Sequence, residues 1–371
     1  MSGTSESTGE RPRPGITAVV VSYDAVRELP ACIDALLGGS RAPDEVIVVD
    51  NGSTDGSQAL VRERYPDARL LELPHNPGPA AARNLGMRAA SFERVLTIDD
   101  DVVVGPGTLA ALESALDADP LLAAVQARSL VAHDPATIHY DGGEAHYAGL
   151  IALRNFFAPL DAGPGRDAGP GRGVAPVGAI VSLCVLQDNA CVLAAGGYDE
   201  TLEILFEDSD LSYRLRARGR RLAVVEDEPC LHGAGTAGTS FRAGDYPSRR
   251  VFLHARNRWV LLLKNHRAST LVLTAPALCV YELYWLLFAT LRGGLFAYLR
   301  GKWAFLRLLP TTLRARAVVQ RARTVGDRDL LVGGPLTLSP QLRVKPVQRA
   351  LASSLDAVLR GWWALVRPLV R

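Results

Sequence analysis

The sequence predicts an α/β fold, Rossmann-like, with a mostly parallel central sheet flanked by helices and followed by a C-terminal helical region. Three observations lead there. Apolar, β-branched runs of strand length alternate with stretches of helical periodicity through the first hundred residues. Acidic residues stand at the carboxyl end of each main run, where a sheet of this kind receives its ligand. Charge is split along the chain: residues 1–240 hold 19 basic and 34 acidic side chains, residues 241–371 hold 22 and 5.

With 371 residues, 48% of them hydrophobic and 22% charged, the chain can bury a core and is not disordered as a whole. Its net charge of +2 argues against a general nucleic-acid binder. The five cysteines, Cys32, Cys184, Cys191, Cys230 and Cys279, form no CxxC pair and suggest neither a disulfide framework nor a zinc site, which fits a reducing compartment.

The first fourteen residues, polar and interrupted by proline, read as a disordered leader. From Ile16 the run ITAVVVSY is a strand, and LPACIDALLGG after it is a helix ending at Gly38 and Gly39. A second strand follows at Glu45 to Asp50, then the loop NGSTDGS, a short helix near Gln58 to Tyr65, a weak strand ARLLEL, a helix AAARNLGMRAA and a strong strand RVLTIDDD. Asp24, Asp50 and the triplet Asp99, Asp100 and Asp101 fall at the strand ends. Asp24 and Asp55 read equally well as helix caps or Asx turns. Three adjacent carboxylates repel one another, and a fold keeps such a cluster with a cation to neutralise it. The segment after the first strand, SYDAVREL, has no GxGxxG, and no GxxxxGK[ST] occurs anywhere, so the pattern suggests a diphosphate held through Mg²⁺ or Mn²⁺ rather than by a glycine loop.

Six segments in register, VVVSYDAVRELPACIDALL, VIVVDNGSTDGS, NPGPAAARNLGM, LTIDDDV, AAGGYDE and LFEDSDLSYRLRARGRRL, resemble the family 2 glycosyltransferases of GT-A fold. The resemblance covers about Ile16 to His232 and extends loosely through HARNRW to about Asn265. Within the family, the layout is most similar to rhamnosyl- and galactofuranosyl-type transferases of the cell envelope. It implies a GT-A catalytic domain over 15–240, with a nucleotide-sugar half at 15–104 and an acceptor half at 105–240. Ser22, Tyr23 and Asp50 would frame the nucleotide base and ribose, and Arg83 would stand near the phosphates. Asp99 and Asp101 would form the DxD pair, with Asp101 as direct metal ligand, Asp99 nearer the sugar or ribose and Asp100 in the nucleotide-sugar site. Asp208 would take the proton of the acceptor hydroxyl, Glu207 would orient it, and His232 would complete the metal site. An inverting displacement is implied, with a nucleotide-diphosphate sugar (UDP- or dTDP-linked) as donor and a glycan or glycolipid as acceptor.

The residues themselves allow a plainer reading of the second acidic group. Glu207, Asp208 and Asp210 open a helix whose last turns carry arginines, which suits the helix dipole at about 0.3–1 kcal/mol per charge. That reading leaves the adjacent pair unexplained. The stretch 133–147, with His133, His139 and His146, lacks metal-ligand spacing and reads as an acceptor-side loop and strand. The repeat GPGRDAGPGRG at 163–173 reads as a flexible loop.

Residues 241–371 read as a basic, apolar, helical, membrane-associated region. Residues 268–291 form a 24-residue apolar stretch whose one charge is Glu282; as a helix it would reach about 36 Å, against a hydrocarbon core of about 30 Å. Pro276 and Glu282 count against a clean span, since an acid near mid-membrane costs roughly 2.5 kcal/mol or more. A dipping or surface-lying helix is expected. Beyond it, and again near the C-terminus, arginines interleave with Leu, Phe, Trp and Tyr, as in amphipathic helices on anionic membranes. The expected location is the cytoplasmic face of the plasma membrane. A helical subdomain packed on the core, with solvated arginines, is the other reading of this region. Two further functions compete with transfer: a degenerate domain acting as membrane-bound scaffold, which would lack one acidic group, and a sugar-phosphate nucleotidylyltransferase, which needs a Gly-rich basic loop where SYDAVREL stands.

Overall fold

Continuous apolar runs dictate the centre of the molecule, because a strand covered by helices on both faces must be apolar on both. The computed structural model describes residues 13–162, 173–233, 246–337 and 346–371. In chain order the first elements are β1 (Arg13–Ser22), α1 (Leu29–Gly38), β2 (Glu45–Asp50), α2 (Ser57–Arg64), β3 (Arg69–Glu72), α3 (Pro79–Ala89), β4 (Phe92–Asp99), β5 (Val102–Val104) and α4 (Thr108–Ala118). There follow β6 (Leu122–Val131), β7 (Asp134–Tyr140), β8 (Gly143–His146), β9 (Leu150–Leu153), β10 (Val174–Val177), β11 (Cys184–Asp188), α5 (Asn189–Ala194), α6 (Glu207–Ala217) and β12 (Arg221–His232). The last third comprises α7 (Ser248–Asn265), α8 (Ala268–Leu291), α9 (Leu295–Ala322), α10 (Asp327–Leu330), β13 (Leu331–Val332) and α11 (Pro346–Val366).

The main sheet runs β10-β12-β6-β11-β4-β1-β2-β3, with β5 on β12 and β7 on β6. Strands β3, β2, β1 and β4 are mutually parallel, as their spacing predicts. Beyond β4 the ladder changes: β11 is antiparallel to both β4 and β6, while β12 returns parallel to β6. Chain direction splits at β1, whose neighbours are β2 on one side and β4 on the other, so a crevice opens at the carboxyl ends of these strands. Register sets the functional ends level: Ser22 lies opposite Asp50, and Val21 opposite Asp99.

One face of the sheet packs Val20, Leu96 and Ile98 against Leu29, Ile33 and Leu36 of α1 and Leu109 and Leu112 of α4. The other packs Val19, Val21 and Ile47 against α3 and α6. Gly86 makes the α3 contact possible, since a Cβ there would lie 2.2 Å from Val19 Cγ1. That close approach carries Arg83 to the crevice.

Strand β1 begins at Arg13, two residues inside the segment expected as leader. Residues 1–12, and residues 163–172 of the expected flexible loop, lie outside the described residues.

The C-terminal region packs directly on β8 and Tyr147, as the subdomain reading of it anticipates. β13 pairs parallel with β8. The Tyr147 ring stacks on Trp363 at 5.0 Å, and its hydroxyl donates to the Leu359 carbonyl at 2.9 Å. On α8, Glu282 is ringed by partners from α7 and α9: Arg258 at 2.5 Å, Trp259 Nε1 at 2.8 Å, Tyr298 Oη at 2.6 Å, and Lys302. The acid that counted against membrane contact therefore points into protein. All five cysteines are free.

Candidate active site

The ends of β1, β4, β11 and β12 and the start of α6 enclose a cavity of about 450 Å³. Tyr23, Arg83, Asp99, Asp100, Asp101, Glu207, Asp208 and His232 all line it. The two acidic groups, more than a hundred residues apart in the chain, thus meet in one space. Arg83 bridges them. Its Nη2 donates to Asp99 Oδ1 at 2.7 Å, its Nη1 lies 3.5 Å from Glu207 Oε1, and its guanidinium sits 5.5 Å from the Tyr198 ring centroid. Burial alone would weaken the Arg83 charge, but the carboxylates around it hold it above the ordinary arginine value.

Strand pairing delivers the remaining acids and the histidine. Asp100 Oδ2 accepts the Tyr23 amide at 2.9 Å, which ties the end of β4 to the loop after β1. β12 runs antiparallel to β5 with His232 opposite Val102, and the Gly233 amide donates to the Asp101 carbonyl at 2.9 Å. One ligand atom from each of Asp99, Asp101 and His232 lies within 4.8 Å of the others, with His232 Nε2 3.5 Å from Asp101 Oδ1. Burial raises Asp99 and Asp100 above the usual carboxylate range.

Behind His232 stands His139, its ring stacked at 4.7 Å and its Nδ1 2.8 Å from His232 Nδ1. One of these nitrogens must carry the proton and the other accept it. Burial, reinforced by the charge of His232, holds His139 down to about 3. The acceptor-side expectation for residues 133–147 thus missed that this segment backs a candidate ligand. Only the fold brings the two rings together.

Ser22 and Asp50 sit behind the cavity wall rather than on it. Both are buried. Asp50 Oδ2 accepts the Gly52 and Ser53 amides and Gln58 Nε2, so half of this carboxylate organises the NGST turn. Its Oδ1 and the Ser22 hydroxyl have no protein partner. Asp55 accepts the Ser57 amide, as the turn reading expects, and the Val26 amide as well. Asp24 caps nothing local: its Oδ1 accepts the Thr54 amide from the loop after β2, and the residue lines the cavity.

Glu207 and Asp208 begin α6 directly after Phe206, which holds φ +74°. Glu203 (φ +62°) and Leu205 (φ +69°) precede it, so three side-chain-bearing residues adopt left-handed backbone within four positions, each at about 1–2 kcal/mol. Burial, with the charge of Asp208 beside it, pushes Glu207 up to about 8. Asp208 is raised too, chiefly by burial, while Arg83 and Ser182 draw it back. Ser182, Tyr140 and Arg250 line the cavity without having been singled out in the sequence. Ser182 arrives because antiparallel β11 sits beside β4, with the Asp99 amide donating to the Leu183 carbonyl at 3.0 Å.

An α/β sheet with a switch point at β1 has the architecture of the GT-A fold, and a carboxylate cluster with histidine faces a second acid pair across its cavity. Residues 17–159 match the model of glycosyl transferase family 2, and the chain is a glycosyltransferase carrying that domain. It is 26% identical over 268 residues to N-acetylglucosaminyl-diphospho-decaprenol L-rhamnosyltransferase of Mycobacterium tuberculosis, covering 68% of this chain and 85% of that protein. It is 28% identical over 322 residues to pre-mycofactocin glycosyltransferase of the same organism, covering 86% of this chain but 60% of that one. The crystal structure of GalNAc-T7 with UDP, GalNAc and Mn²⁺ shares the fold at a TM-score of 0.50 and 16% identity, over 66% of this chain and 48% of that chain.

Proposed function

We propose that this chain transfers a sugar, with inversion, from a nucleoside-diphosphate sugar to a glycan or lipid-linked acceptor of the cell envelope. A divalent metal would assist the transfer at a membrane surface. The observation that carries this reading is Arg83, which links the DxD acids to the Glu207–Asp208 pair inside one cavity. The rhamnosyltransferase relative, whose name specifies a diphospho-decaprenol acceptor, supports the acceptor class.

Two carboxylates and an imidazole nitrogen form a donor set suited to Mn²⁺ or Mg²⁺, so Asp99, Asp101 and His232 fit a metal. When bound, such an ion stabilises the negative charge that develops on the departing diphosphate. The chain's own groups supply the rest. Arg83 offers a buried positive charge beside the phosphates, while Tyr23 and Asp100 frame the nucleoside and sugar, with the unpartnered Ser22 hydroxyl and Asp50 Oδ1 behind them. The acceptor hydroxyl approaches the anomeric carbon from the α6 side, and Asp208 removes its proton as the carbon–oxygen bond forms. The bond to the diphosphate oxygen breaks on the opposite side, so configuration inverts. Glu207, holding its own proton near neutral pH, orients the acceptor or the base.

A thermal-shift panel of UDP-, dTDP- and GDP-sugars with and without Mn²⁺ tests the reading. One nucleotide class together with Mn²⁺ is expected to stabilise the protein, by about 2.7 kcal/mol at a ligand concentration one hundred times Kd. No shift with any sugar would reject it.

Exposed side chains support the membrane surface. Among the described residues, α8 is the one helix long and apolar enough to cross a membrane by length and composition. Val280, Leu283, Leu287 and Leu291 follow helical spacing along its exposed side, as do Phe296, Leu299, Trp303 and Leu306 on α9. Arg300, Arg307 and Arg314 are exposed alongside this stripe, Arg307 with its guanidinium 5.4 Å from the Trp303 ring centroid. Trp303→Glu and Phe296→Glu are expected to leave the melting temperature unchanged and to weaken co-sedimentation with phosphatidylglycerol-containing vesicles at least about tenfold. Undiminished binding would overturn the assignment of this face.

A further inference from the structure

The turn that presents Asp208 has an unfavourable backbone, and side chains of helix α7 hold it in place. Asn257, on α7, is fully buried. Its Nδ2 lies 2.7 Å from the Leu202 carbonyl, 3.1 Å from that of Ile204 and 2.9 Å from that of Leu205. One amide thus gathers three carbonyls of the left-handed segment. Its own Oδ1 accepts Arg256 Nε at 2.7 Å, which orients the amide with its hydrogens toward the turn. Arg256 adds Nη1 to Glu203 Oε1 at 2.7 Å and Nη2 to the Leu202 carbonyl at 3.2 Å. From the other side, the Ala80 amide at the start of α3 donates to the Glu203 carbonyl at 3.3 Å.

The chain leaves this turn through Phe206, whose carbonyl accepts the Asp210 amide at 2.9 Å and opens α6. Glu207 and Asp208 follow at once. Their direction into the cavity is therefore set by the φ values of Glu203, Leu205 and Phe206. Such values persist in residues with side chains only when the surroundings enforce them.

We propose that Asn257 is a positioning residue for catalysis: by holding the carbonyls of Leu202, Ile204 and Leu205 it keeps the turn left-handed and aims Asp208 at the acceptor hydroxyl. The inference rests on Asp208 being the base. Asn257 itself touches neither substrate nor metal. Removing its amide frees the turn to relax toward right-handed backbone, which displaces Asp208 and leaves the Asp99, Asp101 and His232 side of the cavity intact.

The test is Asn257→Ala in the full chain, assayed with whichever nucleotide sugar turns over. A displacement near 1 Å predicts a loss in kcat of roughly 100-fold. KM for the donor, and the thermal shift given by UDP with Mn²⁺, are expected to stay within about threefold and a degree or so of wild type. In an Asp208→Asn background, Asn257→Ala should reduce kcat no further, because both changes act through one carboxylate. A folded Asn257→Ala protein with wild-type kcat overturns the proposal, and so does a loss confined to donor KM or an additive loss in the double variant. If Asn257→Ala does not fold, Asn257→Ser, which keeps one donor, is expected to fold with an intermediate kcat. Failure of that variant to fold would make the residue purely structural and equally overturn the proposal. Full activity of Asp208→Asn alone would instead reject the base assignment, a result separate from any outcome at Asn257.

Discussion

Asp208→Asn is expected to lower kcat by roughly 10³-fold, the scale on which a positioned general base contributes. The donor's thermal shift with Mn²⁺ should persist, because the substituted side chain lies across Arg83 from the DxD acids. The contrast with its neighbour is the sharper part. Burial and the charge of Asp208 push Glu207 up to about 8, so near pH 7 this side chain is protonated and Gln is a close mimic of it. Glu207→Gln should therefore retain transfer within about tenfold of wild type at pH 7, far above Asp208→Asn. Linkage has a definite sign here. A carboxyl raised in the folded state stabilises the fold at low pH, and that contribution declines as pH rises from 4.5 toward about 8. The amide does not titrate, so the melting temperature of Glu207→Gln should gain on wild type across that window. Equal kcat losses at pH 7, or parallel melting curves, would show that the two acids are not differentiated as described.

The second large effect is expected at the proposed metal site. Asp101→Ala removes one of three converging ligand atoms, and Mn²⁺ affinity measured by calorimetry is expected to fall at least about 100-fold, with transfer lost at ordinary Mn²⁺ concentrations. His232→Ala should fall in the same direction. Since Asp99 stays paired with buried Arg83, binding of UDP without metal should change little in either variant. An Asp101→Ala protein that binds Mn²⁺ normally would move the metal elsewhere.

Legibility in the sequence followed how local the determining physics is. β1, β2 and β4 were readable because strands buried on both faces are continuous apolar runs, and α8 was readable to its end residues because nothing charged except Glu282 interrupts it. Direction was not. An apolar run is the same in a parallel or an antiparallel ladder, so β11, and with it Ser182, gave no warning of standing beside Asp99. Glu282 looked isolated because its partners Arg258, Trp259, Tyr298 and Lys302 lie on two other helices. The acid groups themselves were legible as chemistry, since their residue types conflict with ordinary surface roles. Asp50 shows the limit of that reasoning: the strand end was right, but half of its carboxylate serves the turn behind the cavity. His139, and Arg256 and Asn257 within HARNRW, stood in stretches the sequence marked, but nothing showed what each one holds, since a residue that acts by holding another carries no chemistry in its type.

Adjacent residues of α7 face opposite duties. Asn257 grips the turn before the acid pair, and Arg258, one peptide bond later, grips Glu282 on the helix with the outward apolar stripe. A rotation of that outer helix would pull on α7 one residue from the amide that holds the turn before the acid pair. If the apolar stripe meets a membrane as proposed, added vesicles are expected to alter turnover before they alter donor affinity.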